Sequence, residues 1–318
     1  MKSKIKSYPY TKKNISKIVF VSGNVRSGKI IILKLISSFN KMEKVNVNVL
    51  MEQANLLNYI KKIDQETAIY FLRRAFSIMD YNLRISREVN FKKSDYTSIF
   101  NFRNPSLYLN RLKQKEGDIV VKKLSQEKNM IPLMIHNGLL TTNLFKSFKE
   151  YKWIEIIRNP VNHVFSWINK DYGGKFYNSY RAQILTLKFN NKLIPYIAYG
   201  WEKKYLKLNK YERIIEMFNV YEKQKKRTLS KIDTKIKKKI LQIRLEELIK
   251  NPEKIISKME IFLKKKRTSY TNKVLIQENL PRSYLSEVDK KKKILKKKIS
   301  KKYFNKLLML EKNYMKNF

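Results

Sequence analysis

The sequence predicts an α/β protein in which a parallel sheet forms the middle of three layers. Four short strand-like runs lie along the chain, at residues 17–21, 131–135, 153–157 and 239–243. Longer segments between them carry apolar residues at helical spacing. Glycine, proline or polar residues separate the two kinds of segment. Because strands alternate with helices, we expect parallel strands with helices packed on both faces.

The individual elements follow from local patterns. Residues 45–50 alternate apolar and asparagine residues and predict a second strand. Residues 66–84 and 211–229 predict long helices, and Pro105 favours the start of another. Asn159 is suited to cap a helix that begins at Pro160. The strand at 131–135 delivers His136 at its carboxyl end.

Length and composition favour one domain. The chain has 318 residues, 43% of them hydrophobic, which suffices for a sizeable core. We expect a single domain over 1–318 with helical insertions at about 52–117 and 173–235. The basic lead at 1–16 lacks the apolar segment of a secretory signal, and no run approaches 18 apolar residues. We therefore expect a cytoplasmic protein without a transmembrane segment. The absence of cysteine excludes disulfides and thiolate chemistry.

The formal net charge is +45, which favours anionic ligands and surfaces. Nine of the thirteen residues 290–302 are lysine. Apolar residues still recur every four positions there, so we expect a helix over 290–318 with a solvated basic face. Because lysine is abundant throughout the chain, we expect no specific nucleic-acid partner. A polyanion-binding protein without enzymatic activity, or peripheral contact with an anionic membrane, remains open.

The segment after the first strand predicts a phosphate site. A glycine-bearing loop between a strand and a helix directs backbone N–H groups at an anion. Gly23 and Gly28 permit unusual backbone angles, and Arg26 and Lys29 add positive charge. The spacing Gly23-x-x-x-x-Gly28-Lys29 nearly matches the loop of nucleoside triphosphatases. The next residue is Ile30 rather than the Ser or Thr that holds Mg²⁺, which disfavours a kinase or NTPase without excluding it.

Three separated stretches together resemble the sulfotransferases that use 3′-phosphoadenosine 5′-phosphosulfate. Val21 to Gly28 looks like their 5′-phosphosulfate loop. Ile156 to Ser166, with Arg158 and Ser166 eight residues apart, looks like their 3′-phosphate motif. Residues 243–263 are similar to their late strand–helix segment. The order and separations fit, and the resemblance covers about residues 17–310.

The resemblance implies a P-loop-like fold and transfer of a sulfuryl group to a hydroxyl or amine acceptor. His136 precedes Arg158 by 22 residues, as the catalytic histidine does in cytosolic members, and it would be the base, although a carboxylate base remains open. Arg26 and Lys29 would assist catalysis by neutralising charge. The implied donor-binding residues are Gly23, Asn24, Val25, Arg26, Ser27, Gly28, Lys29, Ile30, Arg158, Ser166 and Arg282.

The same resemblance implies phosphoadenosine phosphosulfate as co-substrate and no metal. The transferred group carries less charge than a phosphoryl group, which agrees with the missing metal-ligand hydroxyl at Ile30. The acceptor is not readable from the sequence. A carbohydrate, a lipid headgroup, a protein tyrosine and a small alcohol all remain open.

Overall fold

Five parallel strands form the central sheet of the computed structural model, which describes residues 17–118, 122, 129–174, 185–283 and 287–316. The strands are β1 (Lys17–Gly23), β2 (Asn46–Val47), β3 (Met130–His136), β4 (Tyr151–Ile157) and β7 (Ile240–Arg244). Their order across the sheet is β2-β3-β1-β4-β7. A separate antiparallel hairpin consists of β5 (Thr186–Phe189) and β6 (Lys192–Pro195).

Helices connect the strands and cover the sheet. Their bounds are α1 (Lys29–Ser37), α2 (Val49–Tyr59), α3 (Gln65–Arg84), α4 (Pro105–Leu112), α5 (Asn143–Ser147), α6 (Pro160–Ile168), α7 (Glu202–Lys207), α8 (Lys210–Ser230), α9 (Thr234–Lys237), α10 (Leu245–Lys250), α11 (Pro252–Leu263), α12 (Tyr270–Gln277), α13 (Val288–Lys296) and α14 (Lys301–Lys316). No helix within the described ranges combines the length and apolar character needed to cross a bilayer.

Alternation along the central strands separates two cores. Val19 and Val21 of β1 pack with α1, α10, α11 and α12 on one face. Ile18 and Phe20 pack with α2, α3 and α5 on the other. A third cluster joins α6, α8, α13, α14 and the β5–β6 hairpin. The predicted α/β fold with a parallel sheet and helical layers is confirmed.

Three predicted features differ from the structure. The segment 45–50 is not one strand, because only Asn46–Val47 pair with β3 and Asn48 then caps α2 through its side chain. The predicted C-terminal helix is two helices, α13 and α14. The two helices are separated just before Lys301. There the Glu212 carboxylate accepts hydrogen bonds from the backbone N–H (2.9 Å) and the hydroxyl (2.7 Å) of Ser300. The second insertion contains the β5–β6 hairpin as well as helices, and 1–16 lie outside the described residues.

A buried ionic cluster fixes the first insertion to the sheet. Glu43, which is fully buried, accepts two bonds from the guanidinium of Arg111, at 2.9 and 3.0 Å. Tyr108 and Asn129 also donate to this carboxylate. Burial raises the pKa of Glu43, but Arg111, Arg84 and Tyr108 lower it more strongly, to about 2. Helix α4 is thereby tied to the segment that leads into β2.

Candidate functional site

The predicted loop joins β1 to α1 at the carboxyl edge of the sheet, where open α/β proteins bind ligands. Both of its glycines have positive φ, +144° at Gly23 and +100° at Gly28. A Cβ at Gly23 would lie 2.5 Å from the Ile156 carbonyl oxygen, and one at Gly28 would lie 2.5 Å from Leu245. The positive φ therefore favours glycine at both positions, and at Gly23 the backbone oxygen of Ile156 also leaves no room for a side chain.

Lys29, the first residue of α1, reaches back across this loop. Its ammonium donates to the carbonyl oxygens of Gly23 (2.9 Å) and Asn24 (2.6 Å). The side chain is buried, and burial lowers the pKa of Lys29 to about 7 although Glu52 and Glu155 raise it. A cation is thus held at the mouth of the loop by two backbone oxygens.

The next two carbonyls of the loop are held by side chains that follow β4. The Val25 carbonyl oxygen is within hydrogen-bond distance of two ring nitrogens, His163 Nε2 (2.7 Å) and Trp167 Nε1 (2.9 Å). Because a carbonyl only accepts, His163 must carry its proton on Nε2, and burial lowers the pKa of this histidine to about 3. Arg158 Nη1 donates to the Arg26 oxygen at 3.0 Å. All four carbonyls from 23 to 26 are therefore engaged.

The N–H groups of the same loop are free. Within the described part of the chain nothing accepts a hydrogen bond from the backbone N–H of Asn24, Val25, Arg26, Gly28, Lys29 or Ile30. The buried hydroxyl of Ser27 also has no partner there. Arg26 is exposed and forms no ion pair with a described residue. The loop therefore presents hydrogen-bond donors, while its carbonyl oxygens are bound by side chains. This arrangement suits an anion such as a phosphate.

His136 lies beside the loop, because the β1–β3 register pairs it with Gly23. The Glu52 carboxylate accepts from the backbone N–H of His136 (2.8 Å) and lies 2.9 Å from its Nδ1. Nδ1 therefore carries the proton, and Nε2 is left as the basic nitrogen. Burial and the charge of Lys29 lower the pKa of His136, against the opposing influence of Glu52. The imidazole is neutral at pH 7 and held in one orientation.

Arg158 directly follows β4, two residues before α6 begins, and Ser166 lies two turns along α6. Arg158 Nε is buried without a partner in the described residues, and Ser166 is half-buried. The two side chains do not contact each other. Asn159 caps α6 by accepting from the N–H groups of Val161 and Asn162. Arg158 is thus held by a capped helix at the sheet edge, adjacent to the loop.

Other predicted site residues lie differently. Ile30 is 39% exposed on the first turn of α1. Arg282 donates its backbone N–H to Ile249 and its guanidinium to the Glu278 carbonyl, both at 3.2 Å. It contacts no described residue of the loop. The structure therefore brings Arg158 to the loop and leaves Arg282 beside α10 and α12.

A cavity of about 520 Å³ extends from Arg158 along β4 between α8 and α14. Its inner wall carries Glu155, which is fully buried. This carboxylate accepts from Trp153 Nε1 (3.1 Å) and Tyr221 (3.3 Å) and lies 3.8 Å from Lys225. Burial lowers the pKa of Lys225, but the negative charges of Glu222 and Glu155 outweigh burial and raise this pKa above its ordinary value. Glu155 is thus balanced by Lys225 and lies within electrostatic range of Lys29.

Sequence reasoning missed Glu52, His163, Trp167 and Glu155. Glu52 is 84 residues from its partner His136, and nothing in the local pattern connects them. The His163–Trp167 spacing of four residues indicates one helix face, but the object they face is visible only in the fold.

No protein-family profile and no curated protein matches the chain. Sulfotransferase STF9 from Mycobacterium avium is similar over 96% of this chain and 77% of that one, with 11% identity and a TM-score of 0.45. The sulfotransferase domain from the curacin biosynthetic pathway is similar over 80% and 76%, with 12% identity and a TM-score of 0.42. A sulfotransferase from Alicyclobacillus acidocaldarius is similar over 93% and 94%, with 13% identity and a TM-score of 0.38. All three are sulfotransferases, the family that the motifs resemble.

Proposed function

We propose that the protein is a sulfotransferase that moves a sulfuryl group from 3′-phosphoadenosine 5′-phosphosulfate to a hydroxyl or amine acceptor. The observation that carries the proposal is the hydrogen bonding of the loop. Its carbonyl oxygens accept hydrogen bonds from side chains, while six of its backbone N–H groups have no acceptor among the described residues. A basic histidine nitrogen is fixed at the strand end beside it. An anion cradle next to an oriented base is the arrangement that transfer of an anionic group to a hydroxyl requires.

In this proposal the loop binds the 5′-phosphosulfate. The free N–H groups, the Ser27 hydroxyl, Arg26 and Lys29 would neutralise its charge and the charge that develops on the leaving phosphate. Arg158 and Ser166 would bind the 3′-phosphate. The buried, unpaired Nε of Arg158 supports this role, because a guanidinium satisfies such donors with phosphate oxygens.

His136 would act as the general base. As the acceptor oxygen attacks sulfur, its proton passes to His136 Nε2, a new O–S bond forms, and the bond from sulfur to the phosphate oxygen breaks. The electron pair of the broken bond stays on the displaced phosphate, which remains bound in the loop. Glu52 would stabilise the imidazolium through the Nδ1 hydrogen bond. The acceptor is proposed to be a carbohydrate or another hydroxyl compound, and the site of action the cytoplasm.

The donor assignment is tested by nucleotide binding. Adenosine 3′,5′-bisphosphate should bind in the presence of EDTA and at least tenfold more tightly than AMP or ATP, because each charge-assisted bond to the 3′-phosphate contributes about 1.5–3 kcal/mol. Arg158→Ala should remove most of that preference and leave the weak affinity for AMP nearly unchanged. Isothermal titration calorimetry measures both.

Two results decide against the proposal. Tight, Mg²⁺-dependent ATP binding that is indifferent to a 3′-phosphate would favour a P-loop kinase or NTPase. Equal, weak binding of all three nucleotides would favour a polyanion-binding protein. A screen of acceptors with radiolabelled phosphosulfate donor then identifies the second substrate.

A further inference from the structure

A second cavity, of about 340 Å³, lies beside β2, the edge strand of the sheet. Its walls come from residues 44–48, from the first turn of α2, from α3 and from residues 88–97. The residues that line it are of two kinds. Some are polar and include a buried lysine, whereas the others are aliphatic. A cavity of this composition suits an amphipathic ligand.

Lys44 provides the buried charge of this cavity. It is 5% exposed, and its ammonium donates to the carbonyl oxygens of Val45 (3.2 Å) and Thr97 (3.0 Å). Among the described residues no carboxylate forms an ion pair with it, because its neighbour Glu43 belongs to the buried arginine cluster. Burial lowers the pKa of Lys44 to about 8, although the charges of Glu43 and Asp95 raise it, so the amine is mostly charged at pH 7. The fold therefore buries a cation whose direct partners are neutral, which is costly without a counter-ion.

The amides beside Lys44 are occupied by the protein itself. Asn48 uses its side-chain oxygen to cap α2 and donates from Nδ2 to the Ala75 carbonyl oxygen at 3.3 Å. Asn90 donates to the Thr97 hydroxyl at 2.8 Å, and its oxygen accepts from a backbone N–H of its own loop at 2.8 Å. An ammonium has three N–H donors, and Lys44 uses two of them on carbonyl oxygens. Lys44 is therefore the group in this wall that retains a donor and a charge for an anionic ligand.

Aliphatic side chains line the rest of the cavity. Ala75, Ile78 and Met79 share one face of α3, because they are three and four residues apart. Val47 of β2 and Leu50 of α2 add to this surface. Leu50 is 71% exposed and Ile78 is 44% exposed, although both are large aliphatic residues. An aliphatic chain bound here would remove this surface from water, and each buried methylene would raise its affinity about fourfold.

We propose that this cavity binds a small aliphatic carboxylate, with the carboxylate on the Lys44 ammonium and the chain against α3. The carboxylate would supply the counter-charge that the fold does not provide. Glu88 also lines the cavity, but it is exposed, so water screens its repulsion of the ligand. Neither His136 nor Glu52 nor any residue of the loop lines the cavity, so this inference does not depend on the proposed function. The ligand would lie against the start of α2 without entering the transfer site.

Titration with octanoate tests the charge and the chain separately. The wild-type protein should bind octanoate saturably, at least tenfold more tightly than 1-octanol and about tenfold more tightly than hexanoate, which has two fewer methylenes. Lys44→Met keeps an unbranched side chain without the charge, and it should lower the affinity for octanoate to that for 1-octanol. Lys92→Met removes an exposed charge from a neighbouring segment and should leave the affinity within about twofold. Isothermal titration calorimetry at pH 7 measures these affinities.

Ala75→Phe is a second variant, which keeps Lys44 and fills the cavity. It should lower the affinity for octanoate at least tenfold, and it decides the question if Lys44→Met does not fold, as checked by circular dichroism. The proposal is overturned if the wild type shows no saturable binding at millimolar octanoate, or if either variant binds octanoate as the wild type does. An equal loss in Lys92→Met also overturns it, because the effect would then come from overall positive charge rather than from contact with Lys44.

Discussion

Replacing Glu52 with glutamine isolates the charge that orients His136. One oxygen of Glu52 meets two N–H groups of His136, the backbone N–H at 2.8 Å and Nδ1 at 2.9 Å. Glutamine has the same shape and keeps one carbonyl oxygen that can accept both. The substitution therefore removes charge with little change in packing, because Glu52 is a mostly buried residue of α2.

The expected effect follows from the strength of these bonds. A hydrogen bond to a charged acceptor contributes about 1.5–3 kcal/mol and a neutral one about 0.5–1.5 kcal/mol. Only the Nδ1 bond strengthens as the imidazolium forms, so the transition state should lose about 1–1.5 kcal/mol. Since about 1.4 kcal/mol corresponds to a factor of ten, kcat should fall about tenfold. Loss of the negative charge should also lower the pKa of His136 further, because Glu52 raises it.

Kinetics and NMR measure these effects separately. The acid limb of the kcat profile should move to lower pH in Glu52→Gln, and adenosine 3′,5′-bisphosphate affinity at pH 6 should be unchanged. The chain has two histidines, so the ring nitrogens of His136 can be followed by ¹⁵N shifts. Glu66→Gln on the exposed first turn of α3 is the matched control. Unchanged kcat together with an unshifted acid limb would refute the assignment of His136 and Glu52 as a base and its orienting group.

Two further predictions concern charges that the fold buries. Because burial holds the pKa of Lys29 at about 7 and a bound anion favours the ammonium form, affinity for sulfate should fall by about tenfold per unit at most as pH rises from 7 to 9. Lys29→Met should bind sulfate weakly at every pH, and a flat wild-type profile in the same titration would contradict the placement of Lys29 at the anion. Glu43→Gln should lower the free energy of unfolding in urea at pH 7 by about 3–5 kcal/mol, because it removes the buried charge that accepts two hydrogen bonds from the guanidinium of Arg111, whereas Glu150→Gln at the exposed pair with Lys17 should cost at most about 1 kcal/mol. The pKa of Glu43 is about 2 instead of 4.5, so its contribution is complete above pH 4.5 and is lost as pH falls toward 2; equal stability of the two variants at pH 7 would contradict the cluster's role.

The strands were predictable because their signal is local. Buried parallel strands are rich in apolar residues, and β1, β3 and β4 consist mostly of buried apolar residues, whereas in β7, at the edge of the sheet, only Ile243 is buried and apolar residues still flank Gln242. Two other elements were not predictable, because their secondary structure depends on side chains that are distant in the sequence. Residues 45–50 alternate like a strand, yet the Asn48 side chain starts α2 at that point. The four-residue apolar period across 295–307 is real, since Leu295, Ile299, Tyr303 and Leu307 are all buried. Glu212 nevertheless interrupts the helix at Ser300.

The loop of the candidate site could be located from sequence because its glycines and charges are contiguous. Its chemistry could not be completed in the same way. The partner of His136 lies on another helix, and the groups that hold the loop carbonyls follow a different strand. Arg282 was named because it lies near the place that a late basic motif takes in the family that the sequence resembles. Its side chain is bound to a helix-end carbonyl, which only the packing of α12 against α10 could reveal.

Helix α6 joins the two halves of the candidate site through its two faces. His163 and Trp167, four residues apart, hold the Val25 carbonyl of the loop. Asn162 and Ser166, also four residues apart, face the side where Lys291 approaches. The helix start is fixed twice, by the Asn159 cap and by the bond from the Asn159 N–H to Glu246 at 2.9 Å. Under the proposed function, in which Arg158 and Ser166 bind the 3′-phosphate, the same helix would set both the loop shape and the distance between the two anions. Discrimination between a nucleotide with a 3′-phosphate and one without it would then require no movement of the protein, because one short element would position both sites.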